Sequence, residues 1–378
     1  MTPPRVGLNL VWLVPGVVGG SEEYTVRLLQ GIAEREAPGV AITLYVLDSF
    51  AAAHPGVAAA FPTVVAPIDG ANKARRVLAE STWLAQRARR DRMALVHHAG
   101  GTIPPVRLSP AMVTIHDVQP LLLPGNFDNV KQSYLRWRLP ASARRARLVV
   151  TLTEYGRSAI LDVLGVPPER IVKVPPGFTA RSVTSPDDDP EVTYGIDRPF
   201  FLYPAITYPH KNHRTLLRAF AQVAKDHDVL LVLTAGEAQE EADLRRDIAD
   251  LGIGERVRRL GRVPRPDLDW MLRHAVALTF PSRFEGFGLP VLEAMGNGCP
   301  VIAAAATALP EVVGPAGILL DPDDVGGWAA AMTELLTDER RREWFVEAGF
   351  ARTASFRWRE SVDASLAAYH LALGLGRR

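Results

Sequence analysis

The chain has 378 residues, 47% hydrophobic and 22% charged, which excludes a small disulfide-held scaffold and a disordered or collagen-like chain and favours two domains at roughly 100 to 200 residues each. Lysine plus arginine number 43 against 42 aspartate plus glutamate, so the net charge of +1 supplies no global field for nucleic acid or an anionic membrane. The one cysteine, Cys299, excludes an internal disulfide and a cysteine metal cluster and fits a reducing compartment.

Short β-branched apolar runs alternate with longer amphipathic stretches, the pattern of a parallel sheet with helices on both faces. Arg5 and the apolar run 6–14 superficially resemble a signal peptide, but Asn9 interrupts the run and no clean small-residue cleavage pattern follows. The run is therefore read as a buried first strand. Strands are expected next at 42–47, 63–66, 95–98, 112–115, 148–151 and 171–174, and helices at 21–36, 72–90, 129–145 and 154–164. Residues 179–199, rich in Ser, Asp and Pro and without periodicity, read as an interdomain linker. The alternation then restarts, with strands at 200–203, 229–234, 257–260, 276–280, 301–304 and 317–320 and helices near 212–225, 239–251, 266–274 and 289–296. Two doubly wound α/β domains are expected, with ligands outside the carboxyl ends of the strands and in the cleft between the domains. No apolar run approaches the roughly 18 residues of a membrane-spanning helix, so a cytoplasmic protein is expected.

The densest candidate for chemistry is 280–300, FPSRFEGFGLPVLEAMGNGCP. Gly286 and Gly288 let backbone approach a ligand, and a helix starting near Leu289 aims N–H groups at an anion. Glu293, in the early turns of that helix, suits two vicinal hydroxyls such as those of a ribose. On spacing alone, Glu285 and Glu293 read equally as loop and helix residues facing water. In 203–213, YPAITYPHKNH, Lys211 at a helix start either neutralises a departing diphosphate or is an exposed first-turn lysine. Gly19 and Gly20, in GVVGGSEEY with Ser21 as the expected N-cap, form a loop that could approach phosphate or merely punctuate the chain. The loop is not the six-residue dinucleotide fingerprint, which counts against a nicotinamide or flavin enzyme. His116 and Asp117 follow a strand, where a cleft residue is expected, and His97 and His98 end another. No metal site is expected. The basic stretch 131–147, with Arg136, Arg138, Arg144, Arg145 and Arg147 among Tyr134, Leu135 and Trp137, is either a solvated helix face or a surface for anionic lipid headgroups.

Glu285 to Glu293, with the embedded Glu-Gly-Phe-Gly-Leu-Pro and Glu-Ala-Met, resembles the E-x7-E signature of the retaining glycosyltransferases of family 4, whose GT-B fold has two Rossmann-like domains facing a cleft. The resemblance continues into Leu-Pro-Glu-Val-Val-Gly and Leu-Leu-Asp-Pro-Asp-Asp within 306–324. It implies that Glu285 contacts the donor sugar and Glu293 the ribose, with the N–H groups of Phe287, Gly288 and Leu289 near the sugar and diphosphate. It also implies that Lys211 neutralises the diphosphate, that Gly19 and Gly20 approach it, and that His116 lies by the reacting sugar. Many members carry an arginine a few residues before this lysine or directly before it. Here Thr207 and His210 stand instead; Thr207 is counted among the donor contacts, and Arg283 is either the substitute or a solvated arginine beside a loop. The implied domains are an acceptor-binding unit, 1–178, with a C-terminal helix, 357–378, returning to it, a linker, 179–198, and a nucleotide-sugar unit, 199–356. The implied reaction moves a hexose from a nucleoside diphosphate sugar to an acceptor hydroxyl, with no cofactor or metal. GDP-mannose is favoured over UDP-glucose and UDP-N-acetylglucosamine, and domain closure aligns the reactants. The expected partners are the sugar nucleotide, a glycan or lipid-linked acceptor and the inner membrane face, but no nucleic acid. An epimerase or a non-catalytic sugar-nucleotide-binding protein on the same fold are the competing readings.

Overall fold

The computed structural model describes residues 2–17, 19–126, 129–179, 186 and 188–375. The chain divides into two compact units, Met1–Gly177 with Arg357–Arg378, and Phe178–Phe356. In the first, strands β1 (Arg5–Asn9), β2 (Ala41–Val46), β3 (Thr63–Val65), β4 (Leu95–His98), β5 (Ala111–Thr114), β6 (Leu148–Thr151) and β7 (Ile171–Lys173) form a parallel sheet in the order β3-β2-β1-β4-β5-β6-β7. In the second, β8 (Phe200–Pro204), β9 (Leu230–Thr234), β10 (Val257–Gly261), β11 (Ala277–Phe280), β12 (Val301–Ala304) and β13 (Ile318–Leu320) follow the order β10-β9-β8-β11-β12-β13. Each order reverses once, between β1 and β4 and between β8 and β11. These reversals are the switch points beside which α/β sheets bind ligands.

The central strands are almost wholly buried, as continuous apolar runs covered on both faces require. One face of the first sheet packs Leu8, Leu44, Met112 and Val150 against Leu29 and Ile32 of the helix Gly20–Ala33 and Val362 and Tyr369 of the helix Trp358–Gly374. On the opposite face, Val113 and Val149 meet Leu139, Ala143 and Ile160.

Several expectations need correction. The first strand stops at Asn9, not Val14, because the Asn9 side chain accepts the N–H of Val11 and the chain turns, Leu13 N–H bonding to Leu10. Gly19, with φ of 60°, caps the first helix rather than Ser21, which lies inside it. The long helix expected over 72–90 is interrupted by a π-helical stretch, Glu80–Leu84. The expected linker contains a short helix, Pro190–Tyr194, in which the Asp189 side chain accepts the N–H of Glu191 and Gly195 ends the helix in the left-handed region. That helix belongs to the second unit, where the Tyr194 hydroxyl donates to Asp267 at 2.5 Å. Residues 180–185 and 187 of the expected linker lie outside the described residues. Arg138 does not belong to a solvated basic face: it is buried and its guanidinium donates to the carbonyl of Ile103. No helix among the described residues is long and apolar enough to cross a membrane.

Candidate active site

The second unit gathers its site residues at the carboxyl edge of the β8/β11 switch point. After β8 the chain makes a 3-10 turn, Pro209–Lys211, and Asn212 enters the left-handed region at φ of 57°. Asparagine tolerates that conformation better than most residues. The side-chain amide of Asn212 donates to the carbonyls of Pro281 (3.2 Å) and Pro322 (2.7 Å), and the Tyr203 hydroxyl donates to the Lys211 carbonyl at 2.6 Å. The loop after β11 is tied to the same turn by the Arg283 N–H, which donates to the His210 carbonyl at 2.8 Å. These bonds set Lys211 against Glu285, Nζ to Oε1 2.5 Å, with both side chains largely shielded. Lys211 also stands 5.5 Å from the centre of the Phe280 ring, and the Glu285 N–H donates to Thr307 Oγ1. Burial, reinforced by the Lys211 charge, depresses the His210 imidazole to about 4 against a weaker upward pull from Glu285. His210 is therefore neutral near pH 7 and adds no fixed cation.

Gly288, at φ of 99°, leads into the helix Leu289–Gly296, whose first turn has no side-chain cap and carries Pro290. A helix N-terminus in that state offers backbone N–H groups and a partial positive charge to an anion. Leu289 is partly buried, whereas Phe287 is buried and packs edge-on against Phe356 at 5.9 Å. Glu293 lies on that helix and pairs with Arg265 at 2.6 Å. Arg265 in turn holds Asp269 at 2.8 Å. The sequence reading missed both Arg265 and Asn212. An arginine after Val-Pro and an asparagine after a lysine are ordinary local signals, and their partners lie far along the chain.

Two expected donor contacts are placed differently. Thr207 is fully buried, and its hydroxyl accepts the Ala238 N–H at 2.7 Å. It pins the loop after β9 instead of presenting its side chain at the open edge. Arg283 does not stand as a free cation for phosphate: its guanidinium is paired with Asp323 at the surface. Cys299 is buried, which pushes its thiol up to about 12 and leaves it chemically inert near neutral pH.

In the first unit, His116 follows β5 and donates from Nε2 to the Ala99 carbonyl at 3.2 Å. A carbonyl only accepts, so Nε2 carries the proton and Nδ1 keeps its lone pair. Burial lowers the imidazole's proton affinity, and the Ala99 bond opposes this only in part, so neutral His116 presents an acceptor. The Tyr24 ring meets it edge-on at 6.4 Å. Gly19 and Gly20 open the first helix, and the Gly16 N–H donates to Glu22 Oε2 at 2.7 Å while Glu22 Oε1 holds His54 at 2.8 Å. A Cβ at Gly16 or Gly19 would meet nothing within 4 Å, so positive φ rather than crowding requires glycine there. His97 and His98 are internal. His97 bonds Thr114 and Tyr369, and His98 bonds the side chain of Asn9, with burial as the main cause holding both near a pKa of about 3. Among the described residues, no three His, Cys, Asp or Glu side chains gather to hold a metal ion.

Residues 18–181 match Glycosyltransferase Family 4 and residues 188–352 match Glycosyl transferases group 1. The chain is 31% identical over 290 residues to O-antigen chain mannosyltransferase B of Escherichia coli, covering 75% of this chain and 76% of that protein. It is also 31% identical over 326 residues to D-inositol 3-phosphate glycosyltransferase 1 of Catenulispora acidiphila, covering 80% and 78%. Among solved structures, Anabaena HepE in complex with UDP and glucose superposes with a TM-score of 0.74 at 20% identity, over 97% of this chain and 99% of that one. The two parallel sheets are those of the GT-B fold, and the chain is a glycosyltransferase belonging to family 4, the glycosyl transferases group 1.

Proposed function

We propose that the protein is a retaining, metal-independent hexosyltransferase that uses GDP-mannose and glycosylates a hydroxyl of a glycan or lipid-linked acceptor. The observation that carries the reading is the Lys211–Glu285 pair beside an uncapped helix N-terminus at the switch point of the second sheet. A sugar nucleotide that reacts here develops negative charge on its diphosphate and positive charge at the sugar carbon. Lys211 and the N–H groups at Gly288 and Leu289 stabilise the first, so a resident metal is not required for that task. Glu285 binds the sugar, and Glu293 holds the ribose. In the first unit, which binds the acceptor, His116 accepts a sugar hydroxyl at Nδ1. The bond from the anomeric carbon to the phosphate oxygen breaks, and the bond to the acceptor oxygen forms on the same face. The acceptor proton passes to the departing phosphate oxygen, which keeps the step balanced without an enzymic base.

Mannose is supported by the name of the Escherichia coli relative, whereas the UDP and glucose bound to HepE favour a uridine donor as the second reading. Exposed Val130 and Trp137, with Lys131, Arg136 and Arg144 on the same helix, support docking on an anionic membrane face from the cytoplasmic side. Calorimetry with GDP, UDP, ADP and dTDP, followed by initial rates with the matching sugar nucleotides in EDTA, tests the donor. GDP should bind tightest and GDP-mannose should turn over without added metal. Glu285→Gln should lower turnover by about 100-fold or more, and wild-type rates in that variant would remove its role.

A further inference from the structure

Arg265 is the first residue of the helix Arg265–His274, and its guanidinium bridges two carboxylates. Nη1 reaches Glu293 at 2.6 Å, while Nε and Nη2 both reach Asp269 at 2.8 Å. Asp269 is buried one turn further along the same helix, with its side chain only 7% exposed, so the guanidinium plane is held from behind. Glu293 sits on a different helix, and its side chain is 15% exposed. A carboxylate offers about four lone-pair directions. The bond from Arg265 fixes the rotation of the side chain and so the directions in which its oxygens face hydroxyl donors. A planar fork held by a buried aspartate is preorganised in a way that a lysine is not.

We propose that Arg265 is a positioning residue for the sugar nucleotide, acting through Glu293 to set the carboxylate geometry that recognises the donor's ribose hydroxyls. The inference rests on the reading of Glu293 as the ribose contact. Arg265 touches neither the sugar nor the diphosphate in this scheme. Its loss therefore weakens recognition of one part of the ligand and leaves the chemistry of the bound complex nearly intact.

The experiment measures, by calorimetry, the affinities of GDP and UDP against their 2′-deoxy counterparts in the wild type, Arg265→Ala, Asp269→Asn and Glu293→Gln. The wild type should prefer ribose by about tenfold, the loss expected when a hydrogen bond to a charged group is removed. In Arg265→Ala the ratio should fall to within about twofold, with affinity for the deoxy ligand barely changed and kcat at saturating donor retained. Asp269→Asn, which preserves side-chain shape, should give an intermediate ratio and serves where the alanine variant fails to fold. A wild-type ratio in both Arg265→Ala and Asp269→Asn, alongside a collapsed ratio in Glu293→Gln, would overturn the proposal for Arg265 alone. An unchanged ratio in Glu293→Gln, or a wild type indifferent to the hydroxyl, would overturn the underlying ribose reading.

Discussion

At the residue scale, the first unit buries a polar cluster beside its own switch point. The Asn9 amide donates to Glu80 Oε1 at 2.6 Å and lies 3.1 Å from His98 Nδ1, all three side chains being buried near the β1/β4 switch point. Burial raises the Glu80 carboxyl from 4.5 to about 7, and the Asn9 bond and the Arg76 charge pull it down only in part. A carboxyl raised on folding adds stability that is full below the unfolded value of 4.5 and lost as pH climbs through about 7. The gap sets the effect on the order of 3 kcal/mol at most. Glu80→Gln should therefore flatten the fall in unfolding free energy between pH 5 and 8 (about 1.4 kcal/mol for each pH unit of gap) in denaturant titrations. An equally steep profile in the variant would show that Glu80 does not titrate in this window.

At the element scale, several helices begin where a side chain supplies the missing acceptor. Asn72, Thr153, Asp324 and Asp338 each accept backbone N–H groups of the first turn. The helix Leu289–Gly296 is not among them: Gly288 precedes it, and no side chain closes its N-terminus. A Cβ on Gly288 would lie 2.7 Å from Leu309 Cδ2, and its φ of 99° is strained for any L side chain. Gly288→Ala should cost about 1–3 kcal/mol in denaturant unfolding and weaken nucleoside diphosphate binding. A variant with wild-type stability and affinity would show that the turn relaxes freely. The π-helical stretch Glu80–Leu84 is the other irregular element, and it carries the buried Glu80 into the Asn9 bond.

At the scale of the whole molecule, the C-terminal helix is a component of the first unit's core. Val362, Ala368, Tyr369 and Ala372 are buried in it, Gly31 leaves room for the Val362 side chain, and the Tyr369 hydroxyl lies 3.0 Å from His97 Nδ1. The segment that completes the first unit is thus synthesised after the whole of the second. A chain ending at Phe356 loses one wall of that core, and the margin that holds a domain together is only roughly 5–15 kcal/mol. Hydrogen exchange should then show the amides of β1 to β7 unprotected while those of β8 to β13 keep their protection. Native-like protection across β1 to β7 in the truncated chain would contradict this account.

Much of this was readable from local order. Apolar runs flanked by turn residues located the thirteen strands of the described residues to within a few residues, the overlong first one apart, because a strand covered on both faces must be apolar throughout. Among the described residues, the helices Pro190–Tyr194, Leu309–Val313, Val325–Thr337 and Glu339–Thr353 of the second unit were not expected, nor were the short helices Asp48–Ala53, Pro55–Ala60 and Gln119–Leu122 of the first unit. The glycines and the E-x7-E spacing marked the loop and helix that carry Glu285 and Glu293. Thr207 was misplaced because burial is a property of the fold, and Arg283 because Asp323, its partner, lies 40 residues away. The sequence by itself determined the family, the alternation of strands and helices, and the residue types that chemistry on a sugar nucleotide needs, since these depend on composition and near-neighbour spacing. Only the tertiary structure decided which of those residues meet. Lys211 and Glu285 are 74 positions apart, and Arg265 and Glu293 are 28 apart. Their pairing follows from strand order and from loops tied by Asn212 and Arg283, which no local pattern encodes.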